Sequence, residues 1–301
     1  MDRTTLTPDS GVAARLFLLV AAALFSTGGT VVKIVSLGGL EVACLRSGIA
    51  AVGLWLLVPA TRRLPRRPRA WAVAGSFAAT LLLFVLSSRA TTVANAAFLQ
   101  ATAPLYVLVF GPLLLRERFQ GRDLWTLLGI GAGLVLLLSA QVEPGATSPD
   151  PVRGNLLAAG AGATWGLTVL GLRWLARGGE STLPVVALGN ALVFLVCLPF
   201  TDELVPASAT DAGGLMWLGL VQIALAYAFL TRGLRGVPAF QASLLVQVEP
   251  VLAPLWAFLW HREVPGSRTL VGGALVLACA VDIALRARRE GPQSSSSSPP
   301  R

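Results

Sequence analysis

Glu249 stands directly before Pro250 in "LLVQVEPVLAPLWAFLW", residues 244–260, an otherwise oily run long enough to be a membrane helix. Holding a charge at the centre of a bilayer costs about 2.5–3.5 kcal/mol on insertion scales. The carboxyl must therefore be neutral, paired or wet. Three roles satisfy that condition: a proton carrier, a ligand for a cationic group of a solute, or a protonated hydrogen-bonding group that serves architecture. At 100° per residue Ala242, Leu245, Glu249 and Leu252 share a helix face, with Gln241 about 80° away, so an acid and an amide can converge on one cavity. Prolines add a second kind of signal. Pro250 removes a donor and pushes away the carbonyl of Val246, Pro104 does the same to Gln100, and Pro254 to Pro250. Carbonyls freed in this way must face protein or a water-filled cavity rather than lipid, so the helix breaks mark either a cavity wall or a kink satisfied by a neighbouring helix.

Other polar side chains inside apolar runs extend the candidate set. Gln100, just before the Pro104 break, is a cavity candidate, and Tyr227 and Trp165 offer aromatic surface with one polar atom, suited to amphipathic solutes. For Trp165 an interfacial or core place is the alternative. Asn95 joins them as the residue that aligns with Gln241 in the repeat described below. Lys33 and Arg46 lie near the ends of their runs and either reach the headgroups or turn inward to counter a carboxylate. No catalytic residue is expected: the single histidine, His261, falls at an interface with no nucleophile or acid cluster beside it. The three cysteines, Cys44, Cys197 and Cys279, are far apart and read as small core residues, so no metal or other cofactor is expected. "GIGAGL" is not a dinucleotide fingerprint and no GK[ST] loop exists, so no ATP site is expected.

These residues must be positioned by membrane helices. Of 301 residues 54% are hydrophobic and 13% charged, and the mean hydropathy is +0.71. Apolar runs fall at 16–35, 41–60, 70–88, 92–115, 124–140, 154–176, 183–200, 212–231, 238–260 and 269–285, most close to the roughly 20 residues that span a bilayer. They are continuous rather than alternating, so the chain is expected to be an all-α integral membrane protein of ten transmembrane helices, not a barrel. The first run lacks a clean cleavage site and is read as a retained helix. When alternate loops are taken together, about 18 of the 24 Lys and Arg residues fall on one side, which predicts a multi-pass protein of the cell (plasma) membrane with both termini cytoplasmic. The net charge of +9 is thereby explained by topology. The lipid bilayer is its partner, nucleic acid is not, and a homodimer is compatible with the sequence.

A shift of 146 residues puts Trp71 on Trp217, Asn95 on Gln241, Pro104 on Pro250 and Glu117 on Glu263, and a shift of 140 puts Phe25 on Trp165 and Lys33 on Arg173. The chain thus reads as two copies of five helices. Because five is odd, the second copy enters upside down, an inverted repeat of the kind secondary transporters use. The loops between second and third helices agree, basic "TRRLPRRPR" in one copy and acidic "TDELVPASATD" in the other.

The segments "ATTVANAAFLQATAPLYVLVFGPLLLRER" with "GIGAGLVLLL", and "YAFLTRGLRGVPAFQASLLVQVEPVLAPLWAFLWHREV" with "GGALVLA", resemble the two EamA domains of the drug/metabolite transporter superfamily. The resemblance implies an EamA repeat over 14–140 and another over 152–287, preceded by a cytoplasmic segment, 1–13, and followed by a polar tail, 288–301, expected to be disordered. It also implies a carrier that exports or exchanges a small metabolite, amino acid or drug by alternating access, with proton coupling as an option. A noncatalytic channel or assembly protein, or a lipid-acting membrane enzyme, are the alternative classes.

Overall fold

Each of the ten apolar runs is helical over most of its described length in the computed structural model, which describes residues 8–115, 121–140, 142–202, 204–234 and 245–289. A backbone in hydrocarbon has no water to bond, so it bonds itself. In chain order the helices are α1 (Pro8–Ser26), α2 (Gly28–Ile34), α3 (Gly39–Leu57), α4 (Pro68–Ala90), α5 (Val93–Gln100), α6 (Ala103–Leu115) and α7 (Gly121–Leu138). The second half holds α8 (Pro151–Arg177), α9 (Leu183–Cys197), α10 (Ala209–Met216), a π-helical stretch over Trp217–Leu225, α11 (Ala226–Gly233), α12 (Val248–His261) and α13 (Ser267–Arg289). Among the described residues eight helical segments, several joining two of these elements, are long and apolar enough to cross a membrane, and no strand occurs beyond one Gly145–Ser148 bridge. Helix α1 starts at Pro8, well before its apolar run, with a proline as its first residue where the missing donor costs nothing. Large apolar side chains such as Leu113 and Trp125 point outward, 76% and 74% exposed, as lipid-facing surface does.

The core runs along the seam between the two halves of the chain. Helix α4 packs along α8, α3 along α9, α7 along α13, and α1 along α11. Two mechanisms hold this seam. Hydroxyls cross it: Ser76 donates to the Thr164 carbonyl at 2.9 Å, Thr80 to the Thr164 hydroxyl at 2.9 Å, and Thr168 to Ser76 at 3.1 Å. Close backbone approach is the other. A Cβ on Gly162 would stand 2.6 Å from the Leu99 carbonyl and one on Gly166 2.8 Å from that of Ala103. One on Gly129 would meet Cys279 Sγ at 2.6 Å, and one on Gly133 the Gly272 carbonyl at 2.9 Å. Both GxxxG pairs of the sequence therefore lie at helix contacts.

The breaks differ in detail from the sequence expectation. Pro104 and Pro250 do not interrupt running helices: the chain turns at 101–102 and at 247, and each proline then sits in the first turn of the helix that follows. That is where a proline is best tolerated, since first-turn N–H groups lack helical partners. Pro254 does lie inside α12, as does Pro112 inside α6.

Candidate functional site

A cavity of about 90 Å³ lies where both halves meet. Helix α1 and the start of α2 supply Phe25, Ser26 and Gly29, α4 supplies Phe84 and Ser88, and α5 supplies Val93, Ala97 and Gln100. Across from them stand Trp165 of α8 and Gln247, Glu249, Pro250 and Ala253 around the start of α12. The helix breaks make this space. Thr27 interrupts the first span at Gly28 and Gly29, where a Cβ would meet Gln222 Nε2 at 2.8 Å and Val93 Cγ1 at 2.9 Å. The turns at 101–102 and 247 open the wall beside Gln100 and Glu249.

Of the residues singled out from sequence, Glu249, Gln100, Trp165 and Pro250 line this cavity. Glu249 makes no ion pair among the described residues, and Gln100 Oε1 is buried without a hydrogen-bond partner there. Tyr227 stands behind the lining, edge-on to Phe25 at 5.1 Å and to Phe77 at 6.2 Å, while Trp165 tilts against Phe77 at 6.2 Å. Arg46 is 1% exposed and holds its guanidinium over the Phe84 ring, 5.7 Å from the centroid. Its Nε and Nη1 have no partner among the described residues. Pro104 and Pro254 stand outside the lining. Gln241 and Glu117 lie outside the described residues.

Two candidates go elsewhere. Asn95 does not line the cavity: its Nδ2 donates to Asn155 Oδ1 at 3.1 Å and its Oδ1 accepts from Thr269 at 2.7 Å, so the amide ties α5 to α8 and α13. Lys33 neither reaches for headgroups nor enters the cavity. Its ammonium pairs with Glu263 at 2.5 Å and donates to the carbonyls of Thr91, at 2.8 Å, and Thr147, with both charged side chains about 5% exposed or less. Glu263 Oε2 also accepts the Val93 N–H at 2.8 Å, capping α5. This tie joins the end of α2, the α4–α5 corner, the loop before α8 and the α12–α13 corner, and Val93 carries it to the cavity roof. Beside it Arg89 donates to the carbonyls of Val32, Val35 and Leu37 at 2.7–3.1 Å, and Ser36 donates to Asp211 through N–H and hydroxyl at 2.6 and 2.8 Å. At the opposite end of the bundle Arg69 pairs with Glu180 and stacks on Trp174 at 5.2 Å.

Several groups at the site carry no chemical flag in the sequence. Phe84, Ala97 and Gly29 are ordinary membrane residues, and only the fold brings them together. Gln222 does carry a signal, an amide in the middle of an apolar run. It is buried in the π-helical stretch, bonded weakly to the Phe25 carbonyl at 3.4 Å, with Oε1 unpartnered among the described residues. π-Helical turns occur often at functional sites.

The fold and its cavity define a multi-pass, all-helical membrane protein with a mostly apolar chamber, holding one acid, at the seam of two halves. Residues 13–139 and 152–284 each match the EamA-like transporter family, and the chain belongs to that family. It is 29% identical over 288 residues to the pseudopaline exporter CntI of Pseudomonas aeruginosa, covering 92% of this chain and 96% of that protein. It is 30% identical over 210 residues to the threonine/homoserine exporter RhtA of Salmonella typhimurium, 66% of this chain and 63% of that protein. A solved crystal structure superposes with a TM-score of 0.59 at 22% identity, covering 93% of this chain and 99% of the other, and shares the fold.

Proposed function

We propose that this protein is a secondary exporter that moves a small metabolite across the plasma membrane by alternating access, with ten helices in two inverted five-helix repeats and both termini cytoplasmic. The observation that carries this reading is Glu249, an acid in a chamber walled by helices of both halves, with the buried Lys33–Glu263 pair tied to its lining through Val93. A chamber of about 90 Å³ is smaller than the roughly 300–1,000 Å³ of typical ligand pockets. The chamber must therefore widen to load a solute of ordinary size. Parting of the Lys33–Glu263 tie opens the roof at Val93; the reverse motion closes it. Glu249 serves as the proton carrier or as the ligand for a cationic group, and Gln100, Trp165 and Tyr227 shape the space around it. The exporter names of the relatives support a small-solute cargo, and no catalytic step is assigned to any residue.

Accelerated counterflow in liposomes tests the reading. Purified protein loaded with an unlabelled solute on the inside is expected to concentrate labelled solute transiently against its gradient, which a carrier does and a pore does not. A panel of amino acids, amphiphilic amines and neutral metabolites that yields no counterflow, or only downhill leakage, contradicts it.

A further inference from the structure

A second and larger cavity, about 640 Å³, opens at the end of the bundle where Lys33 meets Glu263. Unlike the chamber, it falls inside the usual range of ligand pockets, roughly 300–1,000 Å³. Its walls come from both halves of the chain: the ends of α2 and α4, the start of α3, the loop before α8 and the first turns of α8. Three cations and one carboxylate line it, Lys33, Arg89, Arg153 and Asp150. Lys33 is already paired with Glu263. Arg89 spends three of the five N–H donors of a guanidinium on the carbonyls of Val32, Val35 and Leu37, which are neutral acceptors, and its other two, on Nε and Nη2, have no partner among the described residues. Arg153 is exposed in the first turn of α8, and its guanidinium forms no hydrogen bond or ion pair there. The carboxylates nearby do not take these donors. Asp150 caps α8 through the Arg153 N–H at 3.1 Å, and Asp211 accepts the N–H and hydroxyl of Ser36. Glu41, whose charge reaches Arg89, makes no ion pair with it among the described residues.

We propose that this vestibule is a phosphate site, in which Arg89 and Arg153 donate to the oxygens of an anionic phospholipid headgroup or of a free phosphate. Guanidinium groups with donors to spare suit phosphate oxygens better than any other side chain, in geometry as well as in charge. The place suits a headgroup in particular. The walls are helix ends, which lie at the depth of the polar layer of a bilayer, and Ile34, Leu86 and Leu157 add apolar surface for the carbons that follow the phosphate. An occupant would touch α4 of the first half and α8 of the second at once. Binding would therefore stabilise the folded chain, as any ligand held by the native state alone does. The site stands apart from the exporter reading, since the vestibule shares no lining residue with the chamber of Glu249.

Thermal unfolding of the full chain in detergent micelles tests it, with phosphatidylglycerol, phosphatidylcholine or inorganic phosphate added at matched ionic strength. Phosphatidylglycerol or phosphate is expected to raise the midpoint by about 5 °C at about a hundredfold excess over half-saturation. Phosphatidylcholine, whose choline cancels the charge, is expected to do less. Arg153→Gln should melt as wild type without additive, because the side chain is exposed and unpartnered among the described residues, and should lose most of the shift; Arg153→Lys should keep more of it. The basic loop at 61–69 also draws anionic lipid, so the diagnostic quantity is the part of the shift that Arg153→Gln removes. A shift of this kind with phosphatidylglycerol alone assigns the site to a lipid headgroup, and one with inorganic phosphate assigns it to the free anion as well. No shift with either probe overturns the site, and so does a shift of equal size in wild type and Arg153→Gln. The first of these results needs wild type alone, so it decides the matter whatever the variants do. Neither outcome touches counterflow, and the exporter reading stands or falls by its own test.

Discussion

Two ionisable side chains within the spans are handled in opposite ways, and each supports a prediction. Lys33 is spent on Glu263 and two carbonyls, so removing one partner leaves a buried charge. Lys33→Met or Glu263→Gln alone should lower stability by about 3–5 kcal/mol. The double variant should recover a good part of this, because it leaves no bare charge and the amide oxygen of the substituted glutamine can still accept the Val93 N–H. Thermal unfolding in detergent reads all three; a double variant destabilised by the sum of the two singles would show that the pair itself matters little. Glu249 is left for the chamber, and Glu249→Gln should lower transport or abolish its pH dependence while the protein elutes and melts as wild type; unchanged transport at every pH would remove it from the mechanism. An acid beside a proline in an apolar run declares itself in sequence, which is why the placement of Glu249 is legible there. The partner of Lys33 is not, since Glu263 is 230 positions away and its neighbour Arg262 looks like the nearer mate. Asn95 misleads for a related reason. A polar side chain in a span must be satisfied, but composition does not say whether a cavity or another amide does it.

At the scale of elements, period and length identify helices well, and small residues mark where they touch. Gly162→Leu should push α8 from the α5–α6 break, costing about 1–3 kcal/mol through overpacking, because its Cβ would already stand 2.6 Å from a backbone carbonyl. Gly131→Ala, with no atom within 4 Å of the added carbon, should be neutral or slightly stabilising, as alanine is the better helix former. Equal melting temperatures for the two variants would contradict the role given to close approach. What period cannot show is the local winding. Hydropathy separates helix from strand but not α from π, so the stretch at Trp217–Leu225 stays hidden. Prolines read as interruptions within helices, yet the chain turns first and uses Pro104 and Pro250 to begin the next segment. The physical reason is the same donor deficit, relieved by position instead of by a neighbour.

For the whole molecule, the principal contacts join a helix of the first half to one of the second, α4 with α8, α3 with α9, α7 with α13. The chamber sits on this seam. Alternating access can be read directly by placing a single cysteine at Ala97, a cavity-lining position, in a chain whose three native cysteines are replaced by alanine. A membrane-impermeant maleimide is then offered from one side of the membrane or the other. The expected result is labelling from one side at a time, with Lys33→Met moving access toward the side the Lys33–Glu263 tie closes. Labelling from both sides at once, or a side preference that Lys33→Met leaves untouched, would contradict an exporter that works by exposing one chamber to each side in turn.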